Sequence, residues 1–146
     1  MADFKKSVVY QIYPKSFYDT NGDGLGDLKG VTAKLDYIRE LGVDYIWMTP
    51  FFVSPQNDNG YDVEDYYNID PRYGTMEDFE ELSREAARRG IKLMLDMVFN
   101  HTSSHHEWFQ KALAGDPKYK DYYIFKKGKA NGEPPTNWES KFGGNA

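Results

Sequence analysis

Apolar residues along this chain follow two alternating rhythms. Residues 7 to 14, SVVYQIYP, are short, β-branched and aromatic, the composition of a strand. After a glycine-rich stretch, Leu28, Val31, Leu35 and Ile38 recur at helical spacing, and Gly42 follows where such a helix would stop. Residues 43 to 50, VDYIWMTP, are nearly continuous in apolar and aromatic side chains, as expected of a strand covered on both faces. A long polar loop leads to TMEDFEELSREAARRG, residues 75 to 90. Here Thr75 and Asp78 are placed as a capping pair, Phe79, Leu82 and Ala86 share one face, and Gly90 terminates the helix. IKLMLDMVF, residues 91 to 99, predicts a third buried strand, and HEWFQKALAG beyond it a short helix.

Strand, helix, strand, helix, strand with glycines between them is the pattern of parallel βα units, hence an α/β fold. Two architectures use such units, the doubly wound sheet and the eight-stranded (β/α)8 TIM barrel, and both place their chemistry at the carboxyl ends of the strands. Every chemically loaded stretch follows a strand here: DTNGDGLGD the first, SPQNDNGYD the second, DMVFNH the end of the third. The first of these loops is acidic and would repel the phosphate that a doubly wound glycine loop cradles. The barrel is therefore the expectation, and since a whole one needs on the order of 250 residues, the chain would supply a partial barrel. A small doubly wound domain complete in itself is the rival.

Composition and charge narrow the function. A chain of 146 residues, 40% hydrophobic and 16% aromatic, has the apolar content of a packed core. It has no cysteine, which removes disulfides and cysteine-held zinc and favours a reducing, cytoplasmic setting. No signal-peptide stretch opens it, and no window approaches the roughly 18 apolar residues of a membrane span. A net charge of −5 argues against a nucleic-acid surface.

The loops raise specific chemistry. In DTNGDGLGD, oxygen-bearing side chains at alternate positions can converge on a hard cation, as the first half of an EF-hand loop does, yet the twelfth position is Gly30 and not glutamate. The same residues also suit a solvated Asn/Asp/Gly turn. His101, His105, His106 and Glu107 raise the question of zinc, but no HExxH spacing is present.

YQIYPKSFYDTNGDGLGDLKGV, WMTPFFVSPQNDNGYDVEDYYNIDPRYGTMEDFEEL and DMVFNHTSSHHEWF resemble successive motifs of the α-amylase superfamily, glycoside hydrolase family 13, over nearly the whole chain. They are most similar to its intracellular α-glucosidase branch. The resemblance implies that residues 1 to 99 form the N-terminal part of the catalytic barrel, its first three βα units, and that residues 100 to 146 begin the B subdomain inserted after strand three. It implies a structural calcium site, with magnesium as the alternative, at Asp19, Asn21, Asp23, the carbonyl of Leu25, and Asp27. It assigns Asp58, Tyr61 and His101 to the glucosyl unit whose bond is cut, with Asp96 and Asn100 in support. A carboxylate grips sugar hydroxyls while an aromatic ring supplies a stacking floor. Asp62 and Asp65 are expected to orient the loop.

The implied reaction is retaining glycoside hydrolysis, in which one carboxylate attacks the anomeric carbon and another acts as acid and then base. In the family both follow later strands, so this chain is expected to hold no catalytic residue of its own and to be inactive alone. The expected ligand is a small α-glucoside or a phosphorylated disaccharide. Residues 117 to 146 carry six lysines against three acids, while the first 116 carry twelve basic residues against twenty acidic. A basic bias there favours an anionic sugar. SPQNDNGYDV and NWESKFGG look more like trehalose-6-phosphate hydrolases than oligo-1,6-glucosidases, which makes trehalose 6-phosphate the expected substrate. An α-1,6-glucoside, as for oligo-1,6-glucosidases or dextran glucosidases, is the alternative. A noncatalytic barrel relative acting as a binding module is a further rival.

Overall fold

The computed structural model describes residues 4–140 and 143–145. Lys141 and Phe142, within NWESKFGG, lie outside the described residues. A 3-10 turn, Phe4–Lys6, precedes strand β1, Val9–Ile12. Helix α1, Pro14–Phe17, starts on a proline whose fixed φ suits a first turn and whose missing N–H costs nothing there. Helices α2, Leu28–Ala33, and α3, Leu35–Glu40, lead to strand β2, Tyr45–Met48. Strands β3, Phe52–Val53, and β4, Asp65–Ile69, then form a hairpin before helix α4, Met76–Arg88, and strand β5, Lys92–Leu95. Helices α5, Glu107–Leu113, and α6, Pro117–Lys120, follow.

Strands β1, β2 and β5 form one parallel sheet with β2 in the centre, as the βα pattern predicts. Val9 stands beside Tyr45 and Tyr45 beside Lys92, so Ile12, Met48 and Leu95 end the three strands in register. Their carboxyl ends share one edge. Ile12, Ile46 and Met48 pack with Leu28, Val31, Leu35, Ile38, Leu82 and Ala86 from the helices into one buried cluster. Among the described residues the sheet is open, three strands wide.

Four expectations change in detail. The helix read through Leu28 to Ile38 is two helices, broken where Lys34 leaves helical geometry at φ −103° and ψ 7°. The hydrophobic spacing survives the break, since all four apolar positions stay buried. Strand β2 is fully buried on one face only; Ile46 and Met48 are covered, Tyr45 and Trp47 half-exposed, because the helical cluster lies against one side. The third strand is shorter than residues 91 to 99. Past Leu95 one further bond, Asp96 N–H to the Met48 carbonyl at 3.2 Å, extends the ladder, and Pro50 on the partner strand then has no N–H to offer. Finally, the polar loop before α4 contains the antiparallel β3–β4 hairpin, whose register slips between Phe52 and Val53.

Helix α4 starts as predicted. The Thr75 hydroxyl accepts from the Asp78 amide at 3.3 Å and the Asp78 carboxylate accepts from the Thr75 amide at 2.9 Å, a reciprocal cap. At its other end Arg89 donates to Asp36 of α3 at 2.6 Å and to Glu85 at 2.8 Å.

The chain divides into two compact units, Met1–Glu107 and Trp108–Ala146. In the second, Trp108 meets Tyr122 edge-on at 5.4 Å and Phe109 meets Tyr123 at 5.1 Å, with Lys111 and Lys118 over the Tyr119 ring. Among the described residues no helix is long and apolar enough to cross a membrane.

One glycine fixes how tightly the first loop folds back on α2. A Cβ on the buried Gly30 would lie 2.0 Å from the Tyr18 carbonyl oxygen, a backbone atom with little freedom to move. Gly30→Ala in the full-length protein is therefore expected to cost about 1–3 kcal/mol, read as a lower thermal midpoint. An unchanged midpoint would show that the loop yields freely at this contact.

Candidate functional site

The loop after β1 is closed by its own hydrogen bonds. Asp19 accepts the amides of Asn21 at 3.0 Å, Gly22 at 2.7 Å and Gly24 at 2.9 Å, and these bonds, from Gly24 and Gly22 above all, hold its carboxyl below the usual range. Asn21 accepts from the Asp23 amide at 2.9 Å, and Asp23 accepts from the Leu25 amide at 2.8 Å and the Asn21 side chain at 3.1 Å. Asp27 is buried and caps α2, taking the Gly30 amide at 2.7 Å and both the amide and hydroxyl of Thr20 at 2.9 and 2.8 Å. The donor set is all oxygen, which suits calcium chemically, and each carboxylate keeps a lone pair beyond those spent on N–H and O–H groups. Among the described residues no three Asp, Glu, His or Cys side chains are gathered as a ready metal site.

The second loop is shaped by an acid that sequence reading places in support. Asp62 accepts from the Ser54 hydroxyl at 2.9 Å and from the amides of Asn57 at 2.8 Å and Asp58 at 3.0 Å. Burial pulls its carboxyl upward, but these bonds outweigh burial and the net shift is down. Asp65 similarly accepts from Tyr67 and Asn68, each at 2.7 Å. The chain turns through left-handed backbone at Gln56, Asn59 and Gly60, with φ of 64°, 51° and 97°. A side chain at Gly60 would press on the Pro50 carbonyl at 2.8 Å. This turn presents Asp58, half-buried, whose carboxylate has no hydrogen-bond partner among the described residues.

The second and third loops meet at Tyr61. Its hydroxyl donates to Asp96 at 2.9 Å, and burial, followed by the bond to Asp96 and that carboxylate's charge, pushes the phenol well above its usual range. Tyr13, just past the end of β1, adds a smaller push in the same direction. His101 bridges back to the loop, with Nε2 3.0 Å from the Tyr61 carbonyl and Nδ1 3.1 Å from the Asn100 amide nitrogen. A carbonyl only accepts and an amide NH2 only donates, so the Nε2–H tautomer satisfies both contacts. Asp58, Tyr61, Asp96, Asn100 and His101 thus lie on the two loops that meet here, while the calcium candidates form a separate cluster in the first. Among the described residues the side-chain partner of Asp96 is Tyr61. The zinc reading finds no support in the geometry, because His106 is buried, His101 is exposed, and both nitrogens of His101 are engaged.

Sequence reasoning missed two supports. Tyr66 of β4 bonds the Val98 and His101 carbonyls at 2.5 and 2.9 Å from a segment read as loop. Buried Asp70 accepts from Arg72 at 2.6 and 2.8 Å and from the Ser54 amide at 3.2 Å, while Arg72 also donates to the Ser54 carbonyl. The run I-D-P-R carried the only signal for that brace, an acid two residues before an arginine.

The model of the α-amylase catalytic domain matches residues 11–146. The chain belongs to the α-amylase family. Its catalytic domain is a TIM barrel, so the open three-stranded parallel sheet is part of one. The chain is 60% identical to the trehalose-6-phosphate hydrolase of Bacillus subtilis (strain 168) and 55% identical to the oligo-1,6-glucosidase of Heyndrickxia coagulans, covering 98% of this chain in each case. It superposes on the crystal structure of trehalose-6-phosphate hydrolase from Bacillus licheniformis with a TM-score of 0.94 at 63% identity, over 97% of this chain and 26% of that one. The α-amylase-family chain described here spans about a quarter of the length of the curated relatives it matches, 26% of each of the two.

The Asp70 brace has a pH signature. Burial raises its carboxyl, but the bonds from Arg72 and the two amides lower it further, to a net value below the ordinary 3.8. A carboxyl depressed in the folded state stabilises fully above its unfolded value and loses that contribution as pH falls through the folded one. In the full-length protein Asp70→Asn should cost about 1–3 kcal/mol near neutrality and flatten the loss of stability below about pH 4. A variant whose acid unfolding parallels wild type would remove Asp70 from this role.

Proposed function

We propose that this chain is the N-terminal part of a retaining α-glucosidase, with residues 1 to 99 contributing the first three βα units of the barrel and residues 100 to 146 the start of the inserted B subdomain. The observation that carries this reading is the joining of Tyr61 to His101 and Asp96 beyond the carboxyl ends of the parallel strands, with Asp58 in the same loop as Tyr61 and its carboxylate without a hydrogen-bond partner among the described residues. Asp58 is placed to accept sugar hydroxyls, Tyr61 to floor the ring, and His101 to hydrogen-bond a glucosyl hydroxyl, with Asp96 and Asn100 holding the latter two. The attacking and protonating carboxylates are assigned to the remainder of the protein, so residues 1 to 146 alone hydrolyse nothing.

For the substrate we propose trehalose 6-phosphate, cleaved to glucose and glucose 6-phosphate. The lysine-rich second unit and the 60% identity to a trehalose-6-phosphate hydrolase support it. The 55% identity to an oligo-1,6-glucosidase makes an α-1,6-glucoside the second reading. Assayed side by side, the full-length enzyme should prefer trehalose 6-phosphate to isomaltose by at least about tenfold in kcat/KM, a difference of ~1.4 kcal/mol, and the preference should shrink as salt screens the lysines. Asp58→Ala should abolish both activities. Preference for isomaltose would sink the phosphosugar assignment and keep the glucosidase; activity surviving Asp58→Ala would sink the site.

The first loop, we propose, holds a structural calcium ion at Asp19, Asn21, Asp23, Asp27 and the Leu25 carbonyl, with magnesium the less suited alternative. A hard-cation donor set at alternate positions supports it. Calcium at a hundredfold excess over Kd should stabilise the full-length protein by about 2.7 kcal/mol, and Asp23→Ala should erase the increment. Identical responses of wild type and variant to calcium and to chelator would leave the loop as a turn.

A further inference from the structure

Past Leu95 the segment that carries His101 keeps, among the described residues, only the Asp96 bond to the sheet, so other contacts must fix where its ring lies. Two ties come from the β3–β4 hairpin region. One is between backbones, the Ser103 amide to the Val63 carbonyl at 2.8 Å. The other is a side chain. The Tyr66 hydroxyl has a single proton and faces two carbonyl oxygens, that of Val98 at 2.5 Å and that of His101 at 2.9 Å, so the proton is shared across the turn. The Tyr66 ring is itself held, with Phe52 at 6.3 Å, Phe99 at 6.4 Å and the buried His106 at 5.7 Å between ring centres. Val98 packs with Phe52 and Val63 beside it. The path closes on the site, because His101 in turn bonds the carbonyl of Tyr61 at 3.0 Å.

We propose that Tyr66 is a positioning residue for sugar binding, its hydroxyl setting the backbone of residues 98 to 101 and through it the His101 ring against the glucosyl unit. This rests on the assignment of His101 to the substrate made above. The hydroxyl does the work, not the ring, because the ring's packing partners are unchanged when only the oxygen is removed. The Ser103–Val63 bond and the hairpin packing also survive that change, so the fold should tolerate it.

The test is a double-mutant cycle in the full-length enzyme, on whichever α-glucoside it cleaves faster. Tyr66→Phe is expected to lower kcat/KM about tenfold, the upper range for one hydrogen bond, with a thermal midpoint close to wild type. His101→Ala should lower it by at least as much. In the His101→Ala background, Tyr66→Phe should cost less than about twofold, because the residue through which it acts is gone. A merely structural Tyr66 would instead give losses that multiply, and that result overturns the proposal, as would wild-type kcat/KM in Tyr66→Phe. Wild-type kcat/KM in His101→Ala would overturn the assignment of His101 itself and this inference with it. The two failures are therefore distinguishable.

Discussion

Parallel pairing of three strands in register is the constraint on which the rest depends. With Val9, Tyr45 and Lys92 side by side and the strands equal in length, Ile12, Met48 and Leu95 finish together, and each loop must leave from the same edge. Parallel strands cannot be joined by tight turns, so each crossover buries a helix on the sheet. Here those helices supply Leu28, Val31, Leu35, Ile38, Leu82 and Ala86 to one cluster. Burying a side chain of this kind is worth roughly 1.5–3 kcal/mol, which secures the sheet while leaving the loops free to vary. The edge that carries Tyr13, Tyr61 and Asp96 follows from the direction of the strands before any loop residue is specified.

On that edge hydrogen bonds separate acids that build loops from an acid that does not. Asp19, Asp23, Asp27, Asp62, Asp65 and Asp70 each accept two or more bonds from nearby amides or side chains. Asp96 accepts from Tyr61. Asp58, by contrast, has no hydrogen-bond partner for its carboxylate among the described residues. It stands in a turn that passes through left-handed backbone at Gln56, Asn59 and Gly60 and is braced by Asp62.

The sequence showed the elements whose periodicity is long and the caps whose chemistry is local. Helix α4 was legible to its first residue because Thr75, Asp78 and the Phe79, Leu82, Ala86 stripe all point the same way. The β3–β4 hairpin was not, because a two-residue strand has no period and β4 places its two exposed residues, Tyr67 and Asn68, in succession. The break at Lys34 was invisible because both short helices keep one apolar stripe across it. For the site, resemblance brought Asp58, Tyr61, Asp96, Asn100 and His101 to one place, and the geometry brings Tyr61, Asp96, Asn100 and His101 into one bonded chain. Nothing in spacing could have found Tyr66, whose contribution is a bond from a strand's side chain to a loop's backbone, 32 and 35 positions away.

Gly30 shows the same separation at the first loop. An EF-hand loop ends on a glutamate that closes the cation's shell; here that position lies inside the first turn of α2, where even a Cβ would meet the Tyr18 carbonyl. The space is taken because Asp27, three residues earlier, caps the helix by accepting from the Gly30 amide, which draws the loop backbone onto the helix. A carboxylate that caps a helix lies at the positive end of its dipole and satisfies an otherwise orphaned amide without a cation. The loop holds its form through Asp27 together with the bonds that Asp19, Asn21 and Asp23 accept from its own amides, and the proposed cation would add to that form without creating it. The first loop's shape is therefore set by α2 and by the loop's own hydrogen bonds, separately from the ion binding proposed for it.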